Sequence, residues 1–144
     1  MKDLKFRAWD KQYKRMVRVN MILFDSEEID YDDNLNEPKS WSRFNIMQYS
    51  GLNDKNGNEI YEGDIIKVAN KYIGKIVFYH GCFCFFNDEL YIKTSVGDWM
   101  QANEREILGN IYENPEIMRL EGSRCSRPRE GSFKRTRLDI SSII

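Results

Sequence analysis

Histidine is nearly missing from this chain: one residue, His80, among 144, with cysteine and proline at three each. A single imidazole excludes any two-histidine metal site and any acid/base system built on paired imidazoles. An odd number of cysteines, with Cys82 and Cys84 at adjacent alternate positions, does not make the disulfide framework of a small secreted domain. No apolar run approaches the roughly 18 residues that a membrane-spanning helix needs, and Met1–Lys5 lacks the apolar stretch of a signal peptide. Gly-x-Ser-x-Gly, a phosphate-cradling glycine loop and His-Glu-x-x-His are all missing. These gaps lead to the expectation of a cytoplasmic protein without membrane contact, enzymatic activity, cofactor or bound metal.

What the chain does have is aromatic residues, at 13%, and short segments separated by Gly and Asn. Both favour a mainly β reading. The stretch Tyr49–Val68 organises the rest. Its first half, with Asn53, Asp54, Asn56, Gly57 and Asn58, is dense in turn formers, and Asn56-Gly57 is the dipeptide of a type I′ hairpin turn. Its second half reads as a strand entered through a tight corner at Gly63-Asp64. Further strands are expected at 74–79, 82–86, 90–94 and 107–112, the spacing of a small barrel or sandwich. One helical turn is expected within 101–106, and a short helix from Asn114-Pro115-Glu116, because proline suits the first helical turn.

At the N-terminus, residues 5–9 and 16–19 read as a hairpin joined by a polar connection over 10–15. Period two places Phe6 and Ala8 on one face with Val17 and Val19, and Lys5, Arg7 and Trp9 on the other, with Arg18 exposed. Met21–Phe24 reads as a short buried strand. Asp25–Asp33, six of nine residues acidic, reads as a solvated loop or marginal helix. It lacks the glycine and terminal glutamate of a calcium loop. His80, Cys82 and Cys84 alternate on one side of a strand, but a structural zinc takes four ligands, so the two cysteines read as small core residues.

Charge is unevenly spread: the formal balance is +5 over residues 1–19, −9 over 20–120 and +3 over 121–144. Beyond Leu120 the chain turns to Ser, Gly and Arg without apolar periodicity. Residues 121–144 are read as a disordered basic tail, with a non-native origin or a nucleic-acid-binding role as its open alternatives.

Lys5-Phe6-Arg7-Ala8-Trp9-Asp10, the Tyr49–Val68 stretch and Ile107-Leu108-Gly109-Asn110-Ile111-Tyr112-Glu113-Asn114-Pro115-Glu116 occur in that order. Together they resemble the YopX family, small proteins of temperate phages and prophages of Gram-positive bacteria. The resemblance spans roughly residues 3–118. It implies an SH3-like β-barrel with an added N-terminal strand pair, and it implies no activity and no catalytic residues. The expected layout is an N-terminal hairpin and acidic loop over 1–43, a barrel over 44–120 and the tail over 121–144.

The leading functional expectation is a phage or prophage accessory protein, a non-catalytic binding module for a host or phage protein or for its own copies. The alternatives are a single-stranded nucleic-acid-binding barrel that uses the basic hairpin, and a small enzyme with an unrecognised site. Candidate contacts are Lys5, Arg7, Trp9 and Arg18, because cations interleaved with an exposed aromatic suit nucleic acid, and Tyr61 and Trp99, because small SH3-like barrels usually present an aromatic groove or a basic rim. The acidic segment 25–33 offers an internal partner that would cover the same cations.

Overall fold

The computed structural model describes residues 3–32, 37–87, 92–95 and 104–122. Within them the chain is mainly β, as expected. Six strands lie in the order β4-β3-β2-β1-β5-β6: β1 (Phe6–Asp10), β2 (Arg15–Leu23), β3 (Glu28–Tyr31), β4 (Lys39–Ser40), β5 (Phe44–Asn53) and β6 (Glu59–Tyr61). Five more run β10-β9-β8-β7-β11: β7 (Asp64–Val68), β8 (Tyr72–Tyr79), β9 (Cys82–Asn87), β10 (Ile92–Ser95) and β11 (Arg105–Asn110). Every pairing is antiparallel. Of the span 44–120 expected as a barrel, β5 and β6 lie in the six-stranded sheet and β7–β11 form the five-stranded one, and among the described residues no pairing joins its ends β10 and β11. Helix α1 (Pro115–Gly122) starts at the predicted proline, and no described helix is long and apolar enough to cross a membrane.

The N-terminal hairpin follows its alternation. Ala8 opposes Val17 and Phe6 opposes Val19. Ala8 and Val17 are buried with Ile29, Tyr31 and Phe44, and Val19 and Ile22 pack against that cluster. β1 also pairs along its whole length with β5, so the first strand of the chain lies in the interior of its sheet. A second core, Ile60, Ile66, Val68, Ile76 and Phe85, fills the five-stranded sheet's inner face. In β7, Ile65 and Ile66 are both fully buried, so this strand is covered on both faces.

Three sequence expectations are corrected. Asp25–Asp33 is not a loop throughout, because Ile29 and Tyr31 carry period-two burial and form β3 beside β2. Met21–Phe24 is not a separate buried strand: Met21, Ile22 and Leu23 extend β2, and Met21 and Phe24 are exposed at 47% and 73%. The register against β3 shifts between Val19 and Met21. The extra residue, Asn20, is a bulge that reverses the alternation. Ile22 therefore packs inward where unbroken alternation would have sent Met21.

The third correction is the turn between β5 and β6. Only Gly57 has positive φ (84°), and Asn56 does not, so this is not a type I′ turn. The Gly57 amide donates to Asp54 O at 3.0 Å, the three-residue form that ends on a left-handed glycine. Asp54 is the turn's organiser. Its carboxylate accepts from the amides of Asn56 and Asn58 (both 2.9 Å), from Asn58 Nδ2 (3.3 Å) and from the Ile107 amide of β11 (3.3 Å). Burial opposes its ionisation, but these donors outweigh burial and hold its pKa below the usual carboxylate value. Asp54→Ala is expected to cost about 1–3 kcal/mol by orphaning buried donors, read as a lower urea midpoint at neutral pH. A depressed folded pKa stabilises above the unfolded value and stops doing so as pH falls through the folded one, so the variant's deficit should shrink in acid.

Candidate functional site

The surface over β1 and β2 is the place to look, because it gathers most of the candidate contacts. Lys5, Arg7, Arg18 and Tyr61 all line one open groove of about 810 Å³. Trp9 shares their strand face but stands apart. It is half-buried, and its indole stacks on Tyr112 at 5.8 Å with 13° between the planes. Trp99 lies outside the described residues.

Two of the groove's cations already have anions, and these do not come from the acidic segment 25–33. Lys5 Nζ pairs with Glu59 at the start of β6, and Arg7 pairs with Asp64 at the start of β7. Tyr61 ties the two pairs together: its hydroxyl donates to Glu59 Oε2 at 2.8 Å, and Arg7 lies over its ring at 4.7 Å. The result is a chain of contacts, Lys5–Glu59–Tyr61–Arg7–Asp64. Gly63 makes it possible. With φ at 81° it turns β6 into β7 within two residues, and its amide and carbonyl are taken by Ile76 O (2.8 Å) and the Ile111 amide (2.9 Å).

The pKa directions follow from these contacts. The hydrogen bond from Lys5 lowers Glu59, and the same bond raises Lys5. Burial, helped by the bond to Glu59, pushes the Tyr61 phenol up to about 12. Asp64 is 1% exposed, and its burial raises its pKa despite the opposing Arg7. Arg7 Nε is buried and has no hydrogen-bond partner among the described residues.

Arg18 differs from both. It opposes Arg7 across the hairpin, is exposed, and makes no ion pair with any described residue. Around it the groove is apolar: Leu4, Met21 and Phe24 are 69%, 47% and 73% exposed. Sequence reading missed these three. The only signal was the broken alternation of Val-Arg-Val-Asn-Met-Ile-Leu-Phe, two apolar neighbours where one was due.

Elsewhere there is less. A hollow of about 280 Å³ is lined by Lys55, Lys67, Ala69, Asn70, Glu104 and Glu106, and its Lys55–Glu106 pair (2.9 Å) partly neutralises it. Cys84 is a core residue, as expected; Cys82 is half-exposed, with its sulfur 3.5 Å from Cys84 Sγ. His80 sits in the hairpin turn at φ 51°, against the Tyr79 ring at 4.1 Å. The described residues hold no group of three side chains suited to a metal.

The fold and this surface define a small mainly-β protein whose first strand is built into the interior of a sheet, with Lys5 and Arg7 neutralised by Glu59 and Asp64. The family model for the YopX protein matches residues 5–119, and the chain belongs to that family. Among solved structures it is similar to protein EF1440 from Enterococcus faecalis, at 29% identity and a TM-score of 0.59, over 82% of this chain and 99% of that one. It is also similar to protein yopX from Bacillus subtilis, at 21% identity and a TM-score of 0.56, over 81% and 98%. None of the curated proteins compared matches the chain.

Proposed function

We propose that this is a non-catalytic phage or prophage accessory protein, cytoplasmic in its bacterial host, that binds another protein through the β1–β2 groove. The observation that carries the reading is the cluster of exposed Leu4, Met21 and Phe24 around Arg18, which makes no ion pair with a described residue. Grouped exposed apolar side chains with a polar rim are the usual mark of a contact surface. The pairing of Lys5 with Glu59 and of Arg7 with Asp64 favours a protein over nucleic acid, since two of the cations a phosphate backbone would need are already neutralised.

The test is affinity capture from host lysate by the wild-type chain, Met21→Glu and Phe24→Glu, each with and without nuclease. Both positions are exposed, so matching melting curves will certify that the variants fold. A protein retained by the wild type through nuclease treatment and lost with both variants is the expected result. A captured set unchanged by either substitution sinks the groove reading. Loss on nuclease treatment transfers the function to nucleic acid, and a steep fall of affinity with salt would then follow.

A further inference from the structure

We infer that the groove is a missing-strand position, and that its occupant is an extended protein segment adding to β2 at Asn20–Leu23. The inference rests on the groove being a protein-binding surface and names the kind of segment that fits.

The geometry starts with unequal strand lengths. β1–β2 pairing begins at Phe6–Val19, yet β2 runs on to Leu23. Continued register would set Lys5 against Asn20 and Leu4 against Met21. The chain instead leans the other way: Lys5 O accepts from the Tyr49 amide of β5 at 2.9 Å, and Lys5 Nζ is held by Glu59 of β6. Asn20–Leu23 therefore has a strand on its β3 side, and no described residue pairs with its other edge. The groove's walls point the same way. They include Val17 and Val19, whose side chains belong to the core face, together with Arg18 and Met21 of the outer face. With residues of both faces along its walls, the groove lies where β1 pairing stops and β2 runs on, and no described strand pairs there.

An unpaired edge recognises backbone, and the side chains beside it set the sequence. Leu4 and Met21 offer apolar contacts for alternate residues of the guest. Lys5 and Arg7 are ion-paired, whereas Arg18 acts on Glu59 only at longer range, so charge complementarity asks the guest for one carboxylate. A guest continuing the line of β1 runs antiparallel to β2, the slightly more stable pairing.

The probe is a short acetylated peptide alternating valine with threonine and carrying one glutamate, added to the full-length ¹⁵N-labelled chain. Amide hydrogen exchange and chemical shifts are followed by NMR. In the free protein, amides within Asn20–Leu23 that do not serve β3 should exchange quickly, and the peptide should slow them. Methylating alternate peptide nitrogens, which keeps every side chain but removes the donors, should abolish that protection. Arg18→Glu should weaken the peptide roughly tenfold, the scale of one charge-assisted contact, and a peptide with lysine in place of glutamate should recover it.

Amides at Asn20–Leu23 already protected in the free chain would mean that the edge is occupied by the protein itself, and the inference falls. Equal binding of the methylated and unmethylated peptides also overturns strand addition while leaving the groove reading standing, since side chains alone would then account for docking. A peptide that does not bind overturns strand addition too. The capture experiment with Met21→Glu and Phe24→Glu decides the groove reading separately.

Discussion

Asp10→Ala should cost about 3 kcal/mol, the low end of what breaking a buried ion pair costs, and lower the melting temperature by roughly 10 °C. Asp10 is fully buried at the end of β1. One carboxylate oxygen accepts from the amides of Gln12 (2.9 Å) and Tyr13 (3.2 Å), which shapes the hairpin connection, and from Arg43 Nε at 2.9 Å. The other accepts from Arg43 Nη2. Arg43 in turn lies over the rings of Tyr13 (4.7 Å) and Phe44 (5.1 Å). Truncation leaves the Arg43 side chain, only 19% exposed, without its anion and leaves two turn amides without an acceptor. Thermal melts of Asp10→Ala and Asp10→Asn should separate the terms, because asparagine keeps an acceptor for the turn and loses the charge. The bond from Arg43 holds Asp10 below its usual pKa. Its contribution is therefore complete above the unfolded carboxylate value and disappears as pH falls through the folded one. The wild type should lose stability on that acid limb more steeply than Asp10→Asn does.

The second large effect is expected at Phe85, in the other core. Phe85→Ala should destabilise by about 3–5 kcal/mol, the range for emptying a buried aromatic site. The ring is 1% exposed and packs with Ile60, Ile66, Val68 and Ile76. It also explains Gly74. A Cβ on Gly74 would sit 2.7 Å from two atoms of the Phe85 ring and 2.5 Å from Phe86 O, so the ring occupies the space a side chain would take. Chemical denaturation should show Phe85→Leu with a smaller deficit than Phe85→Ala, and Gly74→Ala with a deficit despite removing nothing. A Gly74→Ala protein as stable as wild type would overturn this account of the β8–β9 contact, because the Phe86 carbonyl belongs to the backbone and cannot swing away as a side chain can.

Much of this was legible residue by residue. Alternation at Phe6–Trp9 and Met16–Val19 gave the hairpin and its faces, the turn formers around Asp54 gave a tight reversal, and Asn114-Pro115-Glu116 gave the start of α1. What escaped was long-range or depended on a single inserted residue. The bulge at Asn20 turned Met21 outward, and no propensity announces a bulge in an apolar run. The acidic composition of 25–33 hid Ile29 and Tyr31, whose burial outweighs the preference of their neighbours for solvent. The partners of Lys5 and Arg7 could not be chosen from sequence. The nearby acidic block was the obvious candidate, yet the anions come from Glu59 and Asp64, separated from them by 54 and 57 positions.

That separation orders events at the ribosome. β1 is an interior strand of its sheet, hydrogen-bonded to β5 on one side, with its charges met by β6 and β7. None of those partners has emerged when the hairpin leaves the exit tunnel. At ordinary synthesis rates the interval before Asp64 emerges is on the order of seconds. Throughout it the nascent hairpin carries unneutralised Lys5 and Arg7, open to any neighbour that offers carboxylates. The mature protein closes both edges of that ribbon from within its own chain, β1 against β5 and β2 against β3. The β2 edge can close early, because β3 follows it directly, whereas the β1 edge waits for β5.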